Sequence, residues 1–158
     1  MSESHLRSIG FKEAGTFSKP AVAKTQLNRA IDLFLQQDFI CSLTLAGAAD
    51  AVLAGILISQ GEEPAHEASY YLLKTFRKVL DLDPVIDQKS KAAIFREWNS
   101  GRNRLKHHDE KDDLEFQMND CDEAYWMIRR ALRNAAKLGL EIVQKEIFDA
   151  WAEANVRL

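Results

Sequence analysis

Apolar residues recur at helical spacing through most of the chain from residue 19 onward. Leu27, Ile31, Phe34 and Leu35 fall three or four residues apart on one face. Ahead of them, Ser18 can cap and Pro20 suits a first turn, so a helix is expected to start there and end near Gln37 or Asp38. Residues 39–59 read FICSLTLAGAADAVLAGILIS, a second helix with Asp50 as its single charge. A third segment opens at Pro64, with His66, Tyr70, Leu73, Phe76, Arg77 and Leu80 sharing much of one face, until Asp83-Pro84 breaks it. A fourth helix is expected from Asp87 to His107, marked by Ala92, Phe95, Trp98 and Leu105. Gly101 inside it costs about 1 kcal/mol relative to alanine, which predicts a kink or a tight contact. Past the charged loop Asp109–Asp113, Leu114, Phe116 and Met118 alternate with polar residues and predict a short extended segment. Asn119 or Asp120 then caps a fifth helix, with Glu123 in its first turn and Ala124, Trp126, Met127, Ile128, Ala131, Leu132 and Ala135 as its apolar residues, up to near Gly139. In the last helix Ile142, Val143, Ile147, Ala150 and Trp151 are expected to face inward. Six helical segments with short connections predict an all-α, up-and-down bundle of about four to six helices. Residues 1–18 read as an irregular arm and 19–158 as one bundle domain.

Composition narrows the class. The length of 158 residues suits a single domain, and 46% apolar with 28% charged residues is usual for a soluble globular protein. A net charge of −3 argues against a surface that grips nucleic acid over its whole extent. Two cysteines, Cys41 and Cys121, exclude a disulfide scaffold and a four-cysteine zinc site, and neither has the pattern of a thiol nucleophile, so both read as small packing residues. The polar start lacks an apolar h-region, so no signal peptide is expected. The second helix is long enough to span a bilayer, but Asp50 would sit near its centre, and basic or aromatic anchors are missing behind it. It reads as a buried helix of a cytoplasmic protein with no membrane partner. There Asp50 requires a partner, such as an arginine of the fourth or fifth helix, and it could position Arg102 or Arg104.

The chemically richest segment is Asn99-Ser100-Gly101-Arg102-Asn103-Arg104-Leu105-Lys106-His107-His108. On a helix Asn99, Asn103 and either Lys106 or His107 line one face. Arg102 lies about 140° around the axis from His107, within reach of a long side chain if Gly101 distorts the turn. An imidazole moves protons near neutral pH, a guanidinium forks onto phosphate, and an amide orients both. Such a set suits cleavage of an RNA phosphodiester by its own 2′-hydroxyl, with neither metal nor cofactor. The plain alternative is a solvated basic helix end, where cations complement the helix dipole.

The run Arg102-Asn103-Arg104-Leu105-Lys106-His107 matches the R-x4-6-H signature of the HEPN superfamily. With the Lys106-His107 pair, the acidic Asp109–Asp113 loop and Leu43–Asp50, the chain resembles a group of uncharacterised bacterial HEPN-like proteins over roughly residues 20 to 155. The resemblance implies a helical bundle that dimerises and, in active members, a metal-independent ribonuclease site where two motifs meet. Carried over, Arg102, Asn103 and His107 are the catalytic candidates, and Asn99, Arg104, Lys106 and His108 the surrounding binding candidates. The implied partners are a second copy, an RNA substrate and, for toxin or defence members, an antitoxin-type protein. Other members are non-catalytic interaction or nucleotide-binding modules, which is the alternative reading for this chain.

Further features have ordinary explanations. Glu63-Pro64-Ala65-His66 has the E-x-x-H spacing of di-iron bundles but no second copy. Tyr70, Tyr71, Trp98, Trp126 and Trp151 read as core or interface residues. Arg129, Arg130, Arg133 and Lys137 form a basic stripe, read as a solvated face or an extension of a phosphate path.

Overall fold

A computed structural model describes residues 15–79 and 89–156. Among the described residues the chain forms seven α-helices and no strand. They are α1 (Lys19–Leu35), α2 (Phe39–Ser59), α3 (Ala65–Val79), α4 (Lys91–Trp98), α5 (Ser100–Lys106), α6 (Asp120–Lys137) and α7 (Lys145–Asn155). Asp38, Ser90 and Asn119 cap α2, α4 and α6, each accepting from a backbone N–H three residues on at 3.2 Å. Ser18 occupies the cap position of α1 but makes no capping bond. That helix ends at Leu35, earlier than expected, and the chain turns through Gln37 at φ 65°.

The core is where α1, α2 and α6 meet. Leu27, Ile31 and Phe34 of α1 pack with Leu43, Ala46 and Leu53 of α2 and with Ile128, Ala131 and Ala135 of α6. Small residues on α2 let both neighbours approach closely. By length and composition α2 could cross a membrane. Here it is the central helix of the bundle, with Ser42, Leu43, Ala46, Gly47, Ala49 and Asp50 buried. The α7 helix closes one end by setting Phe148 and Trp151 edge-on to Phe34, with centroids 5.4 and 4.6 Å apart.

Several expectations change. The fourth helix is two helices, interrupted at Asn99 (φ −106°, ψ 6°), which brings the count to seven rather than four to six. The Asn99 side chain explains the break: its amide donates to Phe95 O and its oxygen accepts from Arg130, both at 2.7 Å. Residues 114–118 form no strand; Phe116 lies beneath the Arg104 guanidinium and Met118 packs at Gly101. The last helix starts at Lys145, so its buried face is Phe148 and Ala152, while Val143, Ile147 and Ala150 are exposed. Ile142 is buried just ahead of it. Cys41 is exposed rather than packed, and hydrogen bonding to Asp38 raises its thiol pKa. The Asp83-Pro84 break, the expected start at Asp87, and residues 1–14 of the arm lie outside the described residues.

Candidate functional site

Arg102 lies across the central helix. Its Nη1 donates to Gly47 O at 3.3 Å and its Nη2 to Asn103 Oδ1 at 3.4 Å, while Nε is buried without a partner. The absence of a side chain at Gly47 makes this possible, since a methyl group there would stand 2.3 Å from Arg102 Cδ. Burial, and then the charge of Arg130, lower the Arg102 pKa, against an opposing pull from Asp50. His107 has left the helix. It is the extended C-cap of α5, exposed, held by its backbone N–H on Asn103 O at 3.0 Å. Its imidazole makes no hydrogen bond among the described residues and shares a pocket of about 440 Å³ with Arg104, His108, Lys111 and Asp112. Arg102 does not line that pocket. Lys106 is exposed at the last position of α5. The structure therefore joins Arg102 to Asn103, groups His107 with Arg104 and His108, and turns Asn99 away toward α6.

Asn99 belongs to a buried polar network. Asp50 Oδ2 accepts from Arg130 Nε at 3.0 Å and Nη2 at 2.7 Å, and Oδ1 accepts from Asn134 Nδ2 at 2.9 Å. Asn134 Oδ1 in turn accepts from Ala65 N at 2.7 Å, fastening the start of α3 to α6. One carboxylate thus organises α2, α3, α6 and the α4–α5 break, with its charge matched and both oxygens satisfied.

Arg130 also reaches a groove of about 990 Å³ bounded by α3, α4 and α6. Leu72, Leu73, Phe76, Trp98, Trp126 and Met127 give it apolar walls. Arg129 and Arg133 of α6, Glu97 of α4, and Asp122 and Glu123 at the start of α6 add charged groups to its lining. Much of the apolar surface is open: Leu72 is 70% exposed, Phe76 57% and Trp126 61%. Burial, and then Arg130, lower the His66 pKa; burial raises that of Glu123, whose carboxylate abuts Gly101. No family model matches the chain, and no curated protein or solved structure matches it either.

The groove was not anticipated from sequence. From the sequence His66 reads as a surface or half-buried histidine, Glu123 as a first-turn acid, and Arg130 as part of a basic stripe that is a solvated face or an extension of a phosphate path. Their common signal is Asp50: a lone carboxylate in an apolar helix requires a cation, and the cation it finds lines the groove. Among the described residues no group of three or more histidine, cysteine or carboxylate side chains could hold a metal ion, Glu63 and His66 included.

Proposed function

We propose that this protein is a non-catalytic interaction module whose groove between α3 and α6 docks a protein partner. The supporting observation is the open apolar surface of Leu72, Phe76 and Trp126 in a groove that arginines and carboxylates also line. Apolar surface of that kind with a polar rim marks docking sites, and tryptophan and arginine dominate their energetics. The test is a photoreactive phenylalanine derivative at position 76 in cells producing the full chain, with exposed Val143 as the control position. Irradiation is expected to link position 76, and not 143, to a protein chain; the absence of any protein adduct from 76 overturns the proposal.

A second reading is the metal-independent ribonuclease of HEPN type. The Arg102–Asn103 hydrogen bond and the open pocket of His107 favour it. Arg102 is occupied by Gly47 O, so a guanidinium must reach His107 from Arg104 or from a second copy. In that mechanism His107 takes the 2′-hydroxyl proton and the arginine binds the scissile phosphate. Incubating the chain with total RNA in EDTA separates the readings. Cleavage lost in His107→Ala and in either Arg104→Ala or Arg102→Ala favours the nuclease, and intact RNA at every dose leaves the docking module.

A further inference from the structure

Along α6, Asp122, Trp126, Arg129 and Arg133 are spaced four, three and four residues apart. They fall within about 60° of one helix face. The face is open: Asp122 and Arg133 are exposed, Trp126 is the large apolar group at its middle, and Arg129 is partly exposed. The order is acid, aromatic, base, base, and it becomes complementary to itself when reversed. Two copies of α6 laid antiparallel about an axis midway between residues 127 and 128 align Asp122 with the partner's Arg133 and Trp126 with the partner's Arg129. The two-fold repeats both pairings, giving an isologous interface.

We propose that the occupant of the groove is a second copy of this chain, docked through antiparallel α6 helices; this rests on the interaction-module reading and names its partner. Asp122 and Arg133 make no ion pair within the chain among the described residues, so the interface would supply their charge partners. Arg129 is held by Asp149 at 2.9 Å, which presents its guanidinium in a fixed place for stacking on the partner's Trp126. Parallel pairing would set Asp122 against its own copy and Arg133 against its own, so charge selects the antiparallel arrangement. The neighbouring wall extends the contact: Leu72 and Phe76, both exposed on α3, line the groove together with Trp126.

The full chain is tested by sedimentation equilibrium over a range of concentrations. Wild type is expected to show twice the 17.9 kDa of one chain, dissociating on dilution. Asp122→Arg and Arg133→Asp each bring like charges together at two symmetric points and are expected to weaken association about tenfold or more. The double variant Asp122→Arg/Arg133→Asp reverses both charges and is expected to regain most of the wild-type affinity. Trp126→Ala, at an exposed position, is expected to abolish association while keeping the helical circular dichroism of the folded chain. A wild type monomeric up to its solubility limit overturns the proposal, as does a double variant no tighter than the single ones. A monomeric wild type that still gives adducts of another mass from position 76 defeats the α6 pairing alone; loss of all adducts defeats the docking reading with it.

Discussion

Arg102 and Gly47 form a pair in which the smaller residue determines where the larger one lies. A methyl group at position 47 meets Arg102 at Cδ and Cγ, in mid-chain, where rotating the guanidinium does not relieve the clash. Gly47→Ala is therefore expected to cost about 1–3 kcal/mol of stability in urea denaturation, as overpacking does. In an Arg102→Ala background most of that loss should vanish, and an undiminished loss would place the clash elsewhere. Asp50 is the more sensitive position. Asp50→Ala leaves Arg130 and Asn134 without their shared acceptor, and about 3–5 kcal/mol of stability is expected to be lost in the same measurement. A loss below about 1 kcal/mol would mean that water replaces the carboxylate without penalty.

At the scale of elements, α3 is the weakly attached helix. Ala65 is its one buried residue, and its start is tied to α6 by Asn134 and by Lys137, which donates to Glu63 O at 2.5 Å. His66 packs edge-on to Phe95 with centroids 4.9 Å apart. Burial and Arg130 hold its pKa below the ordinary value, so the unfolded chain binds the proton more readily than the folded one. The stability it contributes is present above about pH 6.5 and is lost as pH falls through the folded pKa. His66→Phe should flatten the decline of melting temperature between about pH 6.5 and 5, and an unchanged slope would assign that decline to other groups.

What could be read from the sequence follows a physical division. Helical spacing of apolar residues marks α1 and α6, and an unbroken apolar run with one charge marks α2, because their cores are aliphatic and local. The lone Asp50 announced an arginine partner because an unpaired buried charge is too costly to keep. The break at Asn99 is hidden in the sequence because it depends on Arg130, 31 residues away, donating to the Asn99 side-chain oxygen. The inward face of α7 was misread because its start at Lys145, after the buried Ile142, sets a different phase. His107 was placed on a helix that ends one residue earlier, which removes it from the face shared by Asn99 and Asn103.

At the scale of the whole molecule, the bundle has two unlike sides. On one, α7 seals the core with Phe148 and Trp151. On the other, α3 and α6 leave Phe76 and Trp126 open above a paired, buried charge. Folding alone gains little from leaving those side chains in water, whereas docking gains from covering them. The central claim is that a protein covers Trp126 in the working state. Hydroxyl-radical labelling, read by mass spectrometry in producing cells and in the purified chain at high dilution, addresses it directly. Trp126 oxidation is predicted to fall severalfold in the cells relative to the diluted chain, while Val143 is labelled equally in both; equal labelling of Trp126 in the two states would contradict the account.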